Sequence, residues 1–243
     1  MSIADNIARV HEQIAASCRA ANRSRESVRL MAVSKTHPTE SILEAHAAGV
    51  CLFGENRVQE YAAKQAALTH AGLFSAPMRA NIHYIGHLQS NKATQATQLF
   101  DAVDSVDSLR LAERLNKAVG EAGKRLPILI EIKLSPEGSK HGLVPDIADD
   151  AAELHILLER LPSLSHLQLR GLMTVPPYAE DPEQARPYFR QLRLLRDDLS
   201  RTHSNVTLEE LSMGMSHDFP VAIQEGATVV RIGTAIFGAR PHK

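Results

Sequence analysis

Short apolar runs alternate with amphipathic stretches along the whole 243-residue chain. The first pattern is helical. Ile3, Ile7, Val10 and Ile14 fall on one stripe, which predicts an amphipathic helix from residue 2 to about residue 21. Its polar face mixes Asp5, Arg9, Glu12 and Arg19 without a basic bias, so it is expected to pack across a mouth or flank of a globular core, not on a membrane. Leu30–Ser34 then reads as a short buried strand that delivers Lys35 at its carboxyl end. Apolar runs of this length suit parallel strands covered on both faces, where charge is excluded until the run stops. A helix from about Thr39 to Ala48 follows and ends at Gly49, a C-cap residue.

The same unit then recurs. Val50–Phe53 is a predicted strand closed by Gly54–Arg57, with a helix over Val58–His70. Ile82–Ile85 is closed by Gly86–Lys92 and a short helix, and Phe100–Val103 by Asp104–Asp107 and a helix over Leu109–Glu121. Pro127–Lys133 leads through Ser135–Gly142 to a helix over Pro145–Arg160. Leu167–Leu172 leads through Met173–Pro177 to a helix over Pro182–Thr202. Thr207–Ser212, closed by Met213–His217, and Val229–Arg231, closed by Ile232–Thr234, complete the series. Strands that alternate with helices demand a parallel sheet with helices outside. Eight such units in about 240 residues are the size of a single (β/α)8 TIM barrel, here with an extra N-terminal helix. An open doubly wound sheet is the alternative arrangement. No linker or composition shift divides the chain, so one domain spanning residues 1–243 is expected.

Composition narrows the function classes. Hydrophobic residues make up 44% and charged residues 23%, ordinary values for a globular protein. With 27 basic against 28 acidic residues and only 4% aromatics, nothing favours nucleic-acid binding. Two cysteines, Cys18 and Cys51, make no disulfide framework, and no apolar run approaches ~18 residues. A cytoplasmic protein without a signal peptide or a membrane span is expected.

In a barrel the chemistry gathers at the carboxyl ends of the strands. The residues found there include Lys35, Asn56, Arg57, His83, His87, Gln89, Asn91, Lys140, Met173, Ser216, Arg231, Gly233 and Thr234. Alone, Lys35 reads first as a solvated strand cap, and the sharper alternative is an amine activated by desolvation for attack on a carbonyl. Met213–Ser216 and Arg231–Thr234 follow the seventh and eighth strands, where barrels recurrently hold a phosphate on backbone N–H groups and hydroxyls. Their glycines could equally serve tight turns alone. Gly86–Lys92 lacks the second glycine and the Ser or Thr of a phosphate loop. His83 and His87 straddle a strand end, so they do not pair on a helix, and no metal site is expected from the sequence. No dinucleotide fingerprint occurs.

Several longer motifs occur in order. They are Ala32–Thr36, Phe53–Asn56 with Val58–Glu60, His83–Gly86 with Leu88–Lys92, Ser139–Lys140, Arg170–Thr174, Leu211–Ser216 and Val230–Gly238. On these the sequence resembles the pyridoxal phosphate homeostasis proteins, also called proline synthase co-transcribed or YggS-type proteins, over nearly its full length. The resemblance implies a barrel like the N-terminal domain of alanine racemase (fold type III) that holds pyridoxal 5'-phosphate (PLP) as a Schiff base. It implies that base on Lys35, phosphate contacts from Ser216, Gly233 and Thr234, and Arg231 near the pyridine nitrogen. It also implies Asn56, His83 and Met213 as pocket wall. His87, His217 and Glu131-Ile-Lys133 depart from the family's usual residues at the mouth.

Three functions are compatible with a Schiff-base lysine. The chain could be a PLP carrier that buffers the cofactor or delivers it to PLP-dependent apo-enzymes. It could be a PLP-dependent racemase or decarboxylase, or a cofactor-free aldolase. Racemisation needs acid–base groups on both faces of the substrate carbon, and one lysine supplies one. The alanine racemase relatives take the other from an additional C-terminal domain. After Gly238 only Ala239 to Lys243 follow, so no such domain is expected here. The expectation is an open-mouthed, monomeric carrier without catalytic turnover.

Overall fold

Eight parallel strands close on themselves in sequence order among the described residues of the computed structural model, which are 2–135, 141–145, 148–203 and 206–239. The strands are β1 (Arg29–Val33), β2 (Leu52–Glu55), β3 (Asn81–Tyr84), β4 (Ala102–Val106), β5 (Leu126–Glu131), β6 (Leu167–Met173), β7 (Glu210–Ser212) and β8 (Val229–Ile232). Pairing of β1 with β8 through Arg29↔Val229 to Ala32↔Ile232 completes the ring. The chain is therefore a (β/α)8 barrel and not the open sheet. Closure leaves no exposed sheet edge.

Helices follow the strands: α2 (Thr39–Ala47), α3 (Val58–His70), α4 (Ala93–Leu99), α5 (Leu109–Glu121), α6 (Ala148–Arg160), α7 (Arg186–Thr202), α8 (Phe219–Gln224) and α9 (Thr234–Phe237). They are preceded by α1 (Ile3–Ala20), whose first turn is fixed by a reciprocal bond pair between Ser2 and Asp5. Helix α1 buries Ile7, Val10 and Ile14 against the flank of the barrel, where it contacts α2, α8 and α9. Asn6 Nδ2 donates to the Ile236 carbonyl at 2.8 Å, and Arg23 Nη1 to the Ile223 carbonyl at 2.7 Å. No helix among the described residues is long and apolar enough to cross a membrane.

Several boundaries differ from the sequence reading, among them β7, which is only Glu210–Ser212, and three of the differences have a plain physical reason. Val50 is not the start of β2. It ends α2, since Gly49 N donates to His46 O at 2.9 Å and Val50 N to Ala45 O at 3.1 Å, with Gly49 at φ +96°. That double bond is a Schellman cap, which uses the apolar residue after the glycine as a plug. Strand β4 does not stop at Asp104 but runs to Val106 with every residue buried, because Asp104 finds a partner inside the barrel. The stretch Pro182–Thr202 divides into a 3-10 turn (Pro182–Ala185) and α7.

Candidate functional site

Strand β1 ends in a backbone turn that fixes Lys35. Thr36 takes φ +67°, a left-handed conformation that costs a β-branched residue energy and persists only when its surroundings enforce it. The enforcement is visible. Thr36 N donates to Glu60 Oε1 at 2.6 Å, and His37 N donates to Ser34 O at 3.1 Å. Ser34 Oγ donates to Glu55 Oε1 at 2.8 Å, while Lys64 Nζ bonds Glu60 at 2.8 Å and Glu55 at 3.3 Å. Burial raises the pKa of Glu55 against the opposing pull of Lys64 and Ser34. In Glu60 the bonds from Lys64 and Thr36 outweigh desolvation and lower it. Sequence reasoning assigned this network no role. The i,i+4 spacing of Glu60 and Lys64 on α3 was its one local signal.

Beside β1 in the barrel ring, the loops after β7 and β8 are laced together. Ser216 Oγ accepts from the backbone N–H of Gly233 and of Ala235, each at 3.3 Å. Arg231 N donates to Gly214 O at 2.9 Å, and Asp218 Oδ1 accepts from Met215 N at 2.6 Å. Gly214 is required on two counts. Its φ is +93°, and an added Cβ would lie 2.6 Å from the Ala222 Cβ. Arg231 is 4% exposed. Its guanidinium donates to Ser212 Oγ at 2.9 Å and to the Thr174 carbonyl at 2.8 Å. Desolvation lowers its pKa, opposed by Asp104, Glu131 and Asp218. Three acids around one buried guanidinium keep it charged, since an arginine does not lose its proton in a protein.

These elements enclose a cavity of about 680 Å³, within the size range of small-molecule sites. Lys35, Ser216, Arg231, Gly233 and Thr234 all line it. Its outer wall is the loop after β6, where Tyr178 stands 78% exposed. His217 anchors that loop by a 2.8 Å bond from its ring to the Glu180 carbonyl. Five expected site residues are therefore gathered in one place by four different elements.

Three others are not. His83 lies in a separate cavity of about 680 Å³ at the amino-terminal ends of the strands, with Arg29, Asn81, Asp104 and Glu210. Its Nδ1 sits 3.0 Å from Asp104 Oδ1, and the charge and hydrogen bond of Asp104 overcome desolvation to raise its pKa. It bonds Asp104 and does not line the cavity around Lys35, because the strand's alternation turns it into the barrel at the lower end. Met213 is fully buried in the hydrophobic core. Asn56 is not among the residues lining this cavity, and its buried Oδ1 has no hydrogen-bond partner among the described residues. Met173 is also core, and Ser139 and Lys140 lie outside the described residues. Glu131, noted as a departure at the end of β5, has its pKa raised to about 7 by burial and by Asp107, against Arg231.

Comparison with known proteins agrees with this architecture. The family model "Alanine racemase, N-terminal domain" matches residues 8–241. A pyridoxal phosphate homeostasis protein of Aquifex aeolicus is 41% identical over 242 residues, covering 100% of both chains. One of Pseudomonas aeruginosa is 43% identical over 242 residues, covering 99% of this chain and 97% of the relative. The solved structure of PipY of Synechococcus elongatus PCC7942 with PLP bound superposes with a TM-score of 0.83 at 41% identity, over 98% of this chain and 100% of that one. Alanine racemase of Clostridium difficile shares the fold at 14% identity, TM-score 0.68, over 96% of this chain and 60% of its own. On its full-length similarity to such relatives, the chain belongs to the pyridoxal phosphate homeostasis protein family.

Proposed function

We propose that this chain binds PLP in the β1/β7/β8 pocket and serves intracellular PLP homeostasis, holding the cofactor in exchangeable form without turning over a substrate. The observation that carries this is the convergence, in one cavity, of a strand-end lysine, a hydroxyl-and-amide cradle and a buried arginine. When bound, PLP supplies an aldehyde that condenses reversibly with an amine, together with a dianionic phosphate. Lys35 is the amine in reach of the cavity, and the turn at Thr36 orients it. Ser216, Gly233 and Thr234 suit the phosphate, because backbone N–H groups and hydroxyls in barrel loops seven and eight bind such anions without an added cation. Arg231 suits the ring nitrogen as a fixed donor. Since it cannot take up or release a proton there, it weakens the electron sink that an acidic partner would strengthen. That favours storage over carbanion chemistry. The buried Thr36 Oγ1, next to Lys35 in the chain, has no hydrogen-bond partner among the described residues, and such an atom costs about 1–3 kcal/mol unless met.

The relatives are named for homeostasis and not for a reaction, which supports the carrier reading over the racemase or decarboxylase reading. The exposed outer wall at Tyr178 supports it too, since water exclusion is what proton abstraction from carbon needs. Borohydride reduction of the loaded protein, followed by peptide mapping, is expected to fix the cofactor on Lys35, and Lys35→Ala is expected to fold and to fix none. Cofactor fixed at another lysine would overturn the assignment. Incubation with amino acids is expected to give no racemisation or decarboxylation. Transfer from the loaded protein to an apo-enzyme, compared with free PLP, tests delivery.

A further inference from the structure

The rim of the mouth opposite Lys35 carries a second cluster, whose residues do not line the cavity that Lys35 lines. His87 follows β3, Asp107 follows β4 and His141 follows β5. One ligand atom from each lies within 4.8 Å of the other two. His87 Nδ1 is 3.0 Å from Asp107 Oδ2, and the His87 and His141 rings stack with centroids 3.7 Å apart and planes 11° from parallel.

Backbone anchors hold all three. Tyr84 OH donates to the His87 carbonyl at 3.1 Å. Asp107 immediately precedes Ser108, the residue capping α5. His141 is fixed by the bridge that follows it, where Lys133 N donates to Leu143 O and Leu143 N to Glu131 O, each at 2.9 Å. Gly142 makes that approach possible at φ +116°, because an added Cβ would sit 2.8 Å from Lys133 N. Two imidazoles stacked face to face cannot both carry a proton without repulsion. Desolvation, then His87, lowers the His141 pKa against Asp107, with Lys133 acting in the same direction as His87. A neutral imidazole presents a lone pair, the form in which histidine binds a metal.

We propose that His87, Asp107 and His141 form a divalent transition-metal site of the zinc class on this rim. Two imidazoles and one carboxylate are the donor set such ions prefer, and three protein ligands leave a position for water. Metal–ligand bonds of about 2.0–2.2 Å set donors about 3.4 Å apart in a tetrahedron, so closure needs side-chain movements of about 1 Å. His87 and His141 are exposed and able to make them. In the closed strand order β4 stands across the ring from β8, so the ion would tie three loops together on the side away from Lys35.

Zinc titration of the full chain by calorimetry, with Co²⁺ absorption as the spectroscopic reporter, tests the proposal. One ion per chain is expected, with His87→Ala, His141→Ala and Asp107→Asn each weakening zinc by about tenfold or more. The variants sit on three different loops, so a folding defect in one leaves two readouts. Lys35→Ala is expected to keep the zinc affinity, which separates this site from the cofactor. His155→Ala, which breaks the other stacked histidine pair with His203, is expected to keep it too. Absence of saturable binding would overturn the proposal. So would unchanged affinity in His87→Ala and His141→Ala, or loss of binding in Lys35→Ala or His155→Ala.

Discussion

At the scale of single residues, the barrel's interior is more polar than its strand sequences suggest, and several of its buried charges have partners on other strands. Arg231 is held by Ser212 and Thr174 and lines the pocket. Arg231→Gln is expected to weaken PLP retention by about tenfold, the worth of a hydrogen bond to a charged group, as read by equilibrium dialysis. Unchanged retention would argue against its place beside the ring. Glu131 makes a separate prediction. Its folded pKa of about 7 lies above its ordinary value of 4.5, so the folded state binds the proton more tightly than the unfolded chain. Its contribution to stability therefore falls as pH rises from about 4.5 to about 7 and is flat above that. Glu131→Gln removes this slope. The variant is expected to gain relative to the parent between pH 5 and pH 8, by on the order of 2 kcal/mol in urea unfolding. An identical pH dependence in parent and variant would refute the shift. Glu55 and Asp218, also raised by burial, remain in both proteins and cancel in the comparison.

At the scale of elements, the pairing of β5 with β6 contains the ring's most constrained point. The register passes from Ile128↔Leu169 to Leu129↔Gly171, leaving Arg170 as an extra residue in β6. That is a bulge, and it turns β6 toward β7. At Gly171 an added Cβ would stand 1.8 Å from the Glu210 backbone oxygen, which no side-chain rearrangement relieves. Gly171→Ala is expected to cost about 3–5 kcal/mol and to lower Tm by roughly 10 °C in a thermal melt. A melt within a degree or two of the parent would mean that the two strands part more easily than their geometry implies. Arg170 itself uses the bulge to reach the Glu209 and Glu210 carboxylates, each at 3.3 Å.

At the scale of the whole molecule, the pocket is assembled from β1, β6, β7 and β8 and their loops, so a bound ligand joins the first and last strands of the ring. Binding to the folded state alone raises stability by about 2.7 kcal/mol at a free ligand concentration about 100 times Kd. Addition of PLP is thus expected to raise Tm by several degrees, and Lys35→Ala is expected to lose most of that gain. An equal shift in the variant would show that the lysine contributes little to binding. Helix α1 covers α2, α8 and α9 and so backs the same seam from outside.

The alternation of apolar runs with helical stripes determined the eight-unit series, because periodicity is a local property that survives without tertiary context. Lys35, Ser216, Arg231, Gly233 and Thr234 were legible for a related reason: each follows a strand end, and barrel topology brings strand ends together. What the tertiary structure decided was the inward alternation and the cross-ring pairing. Asp104 ends an apolar run in sequence, yet it continues β4 because His83, on a different strand, meets it inside the barrel. The same pairing keeps His83 out of the cavity that Lys35 lines. Glu55, Glu60 and Lys64 hold the turn behind Lys35. His87, Asp107 and His141 share a rim although 20 and 34 residues separate consecutive members. Charges are kept inside a barrel only by partners on other strands and helices, and those partners are fixed by ring closure, which one stretch of sequence does not encode.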